Sequence, residues 1–176
     1  MDPVVAWVVR GVLALVLLVA CAHKLRAPRA FIETLRGYEL IPGALAPWLG
    51  ALLVLAELGL GLGLLVPAAQ RVATSGAVTL LLTYALAIAV NLLRDRRDID
   101  CGCSGAADRQ SLSGWLVLRN LCLAAGGITT LVPVAARALD PLDLFTIVAG
   151  VGILYALYAA ANLLLVYGPR TKALLG

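Results

Sequence analysis

Two cysteines separated by a single glycine, Cys101 and Cys103, are the residues of this chain with the clearest capacity for chemistry. They lie in the stretch Asp98-Ile99-Asp100-Cys101-Gly102-Cys103-Ser104-Gly105. A disulfide across one intervening residue closes a small ring only with backbone strain, and strain makes a disulfide easier to reduce. Gly102 and Gly105 supply the dihedral freedom such a ring needs. A dithiol that opens and closes readily is an exchange centre rather than a staple. Arg94, Arg96, Arg97 and Arg109 nearby favour the thiolate, while Asp98 and Asp100 oppose it, so the sign of any pKa shift stays open. Two thiolates also suit a soft ion such as Cu(I) or Zn. His23 is the only imidazole available to join them, and structural zinc normally takes four ligands, so no metal is assigned.

The remaining cysteines, Cys21 and Cys122, fall in apolar surroundings. There a cysteine ordinarily packs as a small hydrophobe; the sharper alternative makes these two a secondary redox pair that relays with the loop pair. Ionisable groups inside apolar runs are functional candidates because their burial in lipid is costly. Counting along helices puts Arg10 and Glu57 at a common depth, about 16–18 Å from one face, which predicts a buried ion pair that fixes helix register. Arg119 sits shallower, about 7–8 Å from the same face. With Asn91, Tyr158 and Asn162 it could line a polar pocket for a quinone head group or a partner's mixed disulfide; snorkelling of Arg119 to the interface is the ordinary alternative.

The elements that must position these residues are hydrophobic helices. Hydrophobic residues make up 62% of the 176 positions and charged residues 14%. Soluble domains carry roughly a quarter charged residues, so this chain could not cover its apolar surface in water. Five apolar stretches approach the ~20 residues that cross ~30 Å of hydrocarbon. They run over residues 4–22, 45–66, 72–93, 114–134 and 144–166. Gly59, Gly61 and Gly63 in the second allow close helix approach. Between the first two stretches, His23 to Pro42 carries Leu25, Phe31, Ile32, Leu35, Tyr38 and Leu40 among basic residues, the pattern of an interfacial amphipathic helix. The expected fold is an all-α integral membrane protein: one transmembrane domain over 1–176, a four-helix bundle with a fifth C-terminal span and an interfacial helix. Nothing in the chain reads as a nucleic-acid motif, and its net charge of +4 is better explained by membrane topology.

Leu18-Val19-Ala20-Cys21 has the look of a lipidation box, but Asp2 stands where a basic cluster would precede it and Arg10 interrupts the apolar core. With five spans, one side of the membrane holds Lys24, Arg26, Arg29, Arg36, Arg94, Arg96, Arg97, Arg109, Arg170 and Lys172. The other holds Arg71 and Arg137. Basic loops face the cytoplasm, so the Cys-Gly-Cys loop is expected inside and the N-terminus outside.

Several segments together resemble the methylamine-utilisation protein E (MauE) family within the DoxX-like group of redox-associated membrane proteins. They are His23-Lys24-Leu25-Arg26-Ala27-Pro28, Leu35-Arg36-Gly37-Tyr38-Glu39-Leu40-Ile41-Pro42, Ala56-Glu57-Leu58-Gly59 and Leu118-Arg119-Asn120. The most specific is the helix end Asn91-Leu92-Leu93-Arg94 leading into Asp100-Cys101-Gly102-Cys103. The family usually continues with Phe-Gly where this chain has Ser104-Gly105, which keeps the thiols and removes an aromatic contact. The resemblance implies a location in the bacterial cytoplasmic membrane and a role in disulfide handling for proteins that mature outside the cytoplasm, beside a thioredoxin-like partner. Against the charge bias, that role requires either a reversed orientation or the movement of reducing equivalents across the membrane. The competing classes are a non-enzymatic subunit that stabilises a redox partner and a small metal or solute transporter.

Overall fold

A computed structural model describes residues 1–96, 112–135 and 137–175, with side chains through Leu164. The described chain is helical: α1 (Pro3–Arg26), α2 (Pro28–Gly37), α3 (Ala46–Gly63), α4 (Gln70–Leu93), α5 (Gly114–Thr129) and α6 (Pro141–Leu175), with a single 3₁₀ turn at Gly43–Leu45. Asp2 caps α1 by accepting a hydrogen bond from Val4 N at 2.8 Å, and Pro3 follows where its missing N–H is harmless. That bond, together with Arg137, holds the Asp2 carboxyl below its ordinary pKa. Arg137 also reaches Asp143 at 2.5 Å, so one guanidinium ties the start of α1 to the start of α6.

Among the described residues, four helical stretches are long and apolar enough to cross a membrane: Pro3–Arg26, Gly43–Gly63, Gln70–Leu93 and Pro141–Leu164. The fifth apolar stretch, expected to reach residue 134, forms a helix only to Thr129. Its end is chemically marked. Gly126 and Gly127 weaken the last turn, the Thr129 and Thr130 hydroxyls donate to their carbonyls, and Pro133 follows. At about 24 Å, α5 is short for a bilayer, yet it packs along α4 and ends where the Thr130 carbonyl meets Arg10 of α1. The bundle therefore has its expected form: α1, α3, α4 and α5 enclose the core, and α6 lies outside against α1.

The core consists of small and branched residues, among them Leu13, Ala14 and Leu17 of α1, Ala73, Ala77, Val78 and Leu81 of α4, and Ala124 of α5. With lipid on the outside, such a bundle coheres through close packing rather than exclusion of water. Gly61 is a clear case: a Cβ there would lie 2.9 Å from Leu18, so α1 and α3 approach only because it is absent. Leucine, valine and isoleucine along α6 are largely exposed, as lipid-facing side chains must be.

The amphipathic segment is shorter than expected. Helix α1 continues through Lys24 to Arg26, and α2 takes only Pro28–Gly37. None of its residues is fully buried, and Phe31, Ile32 and Leu35 lie over Gly50 of α3. Glu39 ends this region with φ of 48°, a left-handed conformation uncommon for a residue with a side chain.

Candidate functional site

Cys101 and Cys103 lie outside the described residues, so the site is built from the elements that carry their loop. The chain leaves α4 through Asp95, also left-handed at φ 55°, and Arg96. Arg96 Nη2 donates to Glu39 Oε1 at 2.7 Å, joining the end of α4 to the turn after α2. The chain returns at Leu112, which is buried in a cluster with Tyr38, Ile88 and Leu116. Both ends of the loop are therefore fastened to one end of the bundle, beside α2.

At that end, within the bundle, sits a buried polar centre. Lys24 of α1 is 4% exposed and Glu57 of α3 is fully buried. Lys24 Nζ donates to Glu57 Oε1, and the Tyr84 hydroxyl of α4 donates to the same oxygen at 2.8 Å. The ammonium also lies 5.2 Å and 5.3 Å from the ring centres of Phe31 and Tyr84, within cation–π range. Above it, a cavity of about 230 Å³ opens between α2, α3 and α4, with an almost wholly apolar lining that includes Leu35, Leu49, Leu53 and Ile88. One turn before Lys24, Cys21 is buried with its thiol 3.6 Å from the Val54 carbonyl.

This arrangement corrects the expected Arg10–Glu57 pair. Arg10 instead donates to Gln70 Oε1 at 2.6 Å and to the Thr130 carbonyl at 2.8 Å, at the opposite end of the bundle. Equal depth along an axis was a poor guide, because side chains on a helix lean toward its N-terminus. Arg10 leans toward Met1. Glu57, on the antiparallel α3, leans the other way, toward Ala46. Lys24 leans back from the end of α1 into the bundle and meets it. The two basic residues are fourteen positions apart on α1, about 21 Å. The sequence hides Lys24 because it lies just beyond the apolar stretch 4–22, where a basic residue looks like part of a loop. Its position i+3 to Cys21, on the same helical face as a buried residue, was the available signal.

Of the three residues expected around Arg119, two lie against it, Tyr158 and Asn162. Arg119 Nη1 donates to Asn162 Oδ1 at 2.9 Å, and its guanidinium lies 5.8 Å from the Tyr158 ring centre. Asn162 Nδ2 in turn donates to the Tyr158 carbonyl at 2.9 Å. This set links α5 to α6. Asn91 is apart from it, fully buried in α4 with its amide on the Ala87 carbonyl at 3.0 Å. Cys21 and Cys122 are both free thiols in unlike settings: Cys21 is buried against α3, whereas Cys122 is exposed on α5. The described structure does not bring them together as a relay pair. Among the described residues there is also no cluster of three or more potential metal ligands.

Long apolar helices bundled around buried polar groups define a polytopic membrane protein. Its sequence matches the family described as methylamine utilisation protein MauE over residues 2–133, and the chain belongs to that family. A relative from Methylorubrum extorquens, methylamine utilization protein MauE, is 39% identical over 165 residues, covering 93% of this chain and 88% of the relative. Proteins of the same name from Methylophilus methylotrophus and Paracoccus versutus are each 36% identical. The alignments cover 97% of this chain and 90% of the first relative, and 93% and 88% for the second. No solved structure matches the chain.

Proposed function

We propose that this protein is a bacterial cytoplasmic-membrane component of methylamine utilisation that exchanges disulfides through Cys101 and Cys103 for a protein maturing outside the cytoplasm. The observation that carries the reading is the Cys-Gly-Cys sequence itself, which lies between Arg96 and Leu112, two residues fastened beside α2. Membership of a family named for methylamine utilisation supports the physiological setting. In the exchange, one thiolate attacks a sulfur of the partner's disulfide and forms a mixed disulfide, releasing the partner's second sulfur as thiolate. The other loop cysteine then attacks the mixed disulfide; the loop pair ends oxidised and the partner reduced. Run in reverse, the same two steps oxidise the partner. A thioredoxin-like protein is the proposed partner.

Single Cys101→Ser and Cys103→Ser variants test this reading, because each leaves one sulfur unable to resolve a mixed disulfide. The variant that retains the attacking sulfur should trap a partner in a reductant-sensitive adduct on non-reducing gels. The double variant should trap none. Adduct formation by the double variant, or by none of the three, would sink the proposal.

The basic bias further proposes that this loop faces the cytoplasm. After reduction, a membrane-impermeant maleimide should leave Cys101 and Cys103 unmodified in intact cells and modify them once the membrane is permeabilised. Ready labelling in intact cells would reverse the orientation and leave the thiol chemistry standing.

A further inference from the structure

At the end of the bundle opposite Lys24, a cavity of about 380 Å³ opens among α1, the α3–α4 turn and the segment after α5. Its lining includes Arg10, Gln70 and Arg71 together with Trp7, Thr130 and Pro133. The lining has two guanidinium groups and no carboxylate. Arg10 is 8% exposed, and a guanidinium keeps its charge even when buried. Its two hydrogen bonds go to neutral oxygens, those of the Gln70 amide and the Thr130 carbonyl. Asp2, at the start of the same helix, is held by Val4 N and Arg137.

Two buried polar atoms here have no hydrogen-bond partner among the described residues: Arg10 Nε and Gln70 Nε2. Both are N–H donors. A buried cation without a counter-charge is strongly unfavourable, and an unmet buried donor adds to the cost. Two unmet donors, a second guanidinium at the exposed Arg71 and no carboxylate in the lining suit a ligand that accepts hydrogen bonds and carries negative charge. The two oxygens of a carboxylate meet that requirement and match the geometry a guanidinium favours.

We infer that this cavity is a carboxylate-binding site in which Arg10 supplies the buried charge, Gln70 a neutral donor and Arg71 a second charge at the rim. The carboxylate comes either from a small free acid or from an acidic side chain of another protein. The site lies at the far end of the bundle from the Cys-Gly-Cys loop and stands apart from the thiol reading.

Trp7 in the lining provides the readout. In full-length protein in detergent with Trp48→Phe and Trp115→Phe, Trp7 emission is followed during titration with sodium acetate, ionic strength being held constant with chloride. A second titration uses a blocked aspartyl tripeptide. A saturable change with acetate assigns a small acid, and one with the tripeptide alone assigns a protein side chain; either supports the site. Arg10→Gln should abolish the response. Arg71→Gln, at an exposed position, should weaken affinity by roughly tenfold, the size expected for one charged hydrogen bond. Responses to acetate and tripeptide no larger than that to chloride would overturn the inference. So would a saturable response that Arg71→Gln leaves unchanged.

Discussion

Glu57→Leu, in a chain otherwise unaltered, is expected to lower stability by about 3–5 kcal/mol, because it leaves the Lys24 ammonium buried without its counter-charge. Lys24→Met should cost a similar amount by stranding the carboxylate. The double variant, Lys24→Met with Glu57→Leu, replaces both charges with apolar groups of comparable bulk and should recover most of the loss, as buried pairs often do when exchanged together. Thermal unfolding of detergent-purified protein, followed by size-exclusion chromatography, gives the three midpoints. The same experiment separates the observed pairing from the one that depth alone suggests. Arg10→Leu should fail to rescue Glu57→Leu, since Arg10 contacts Gln70 and Thr130 instead. Rescue by Arg10→Leu, or equal midpoints for the two single variants and the double, would contradict the Lys24–Glu57 centre.

A functional consequence accompanies the structural one. The pair joins α1 to α3, and Tyr84 brings in α4, directly beneath the apolar cavity at the end of the bundle from which the Cys-Gly-Cys loop departs. Loss of the pair should therefore loosen that end first. The Arg10 end, held by its own contacts, should be less affected.

Much of this architecture is legible in the sequence because lipid imposes a simple rule: each span satisfies its own backbone and presents apolar side chains outward. The apolar runs containing α1, α3, α4 and α6 stand out on that rule. The end of α5 was harder, since Val132 and Val134 prolong the apolar run past the point where Gly126, Gly127 and Pro133 stop the helix. Arg119, Tyr158 and Asn162 stand out in the sequence as polar residues in apolar runs, but so does Asn91, which bonds within α4 instead. The ion pair was not legible, because depth ignores the direction in which a helical side chain leans. The sequence hides Lys24 for a related reason. A lysine at a span boundary reads as a snorkelling cation, and only the packing reveals that its stem runs inward to a carboxylate. The carboxylate cavity was illegible from sequence altogether, since it depends on Gln70 and Thr130 from two other elements meeting Arg10.

The largest functional effect is expected at Cys101 and Cys103, which under the proposed function pass between dithiol and disulfide. Structural disulfides have potentials below about −300 mV, whereas thiol–disulfide exchange proteins fall between about −120 and −270 mV. A ring closed across one residue is strained and belongs with the second group. In full-length purified protein, with Cys21→Ala and Cys122→Ala removing the other thiols, equilibration across a series of glutathione buffers followed by thiol trapping and mass spectrometry gives the potential of Cys101 and Cys103 directly. The expected result is reversible, two-electron conversion of the pair within that exchange range. Thiols that remain reduced under strong oxidant, or that are protected by a stoichiometric copurifying metal ion, would contradict it.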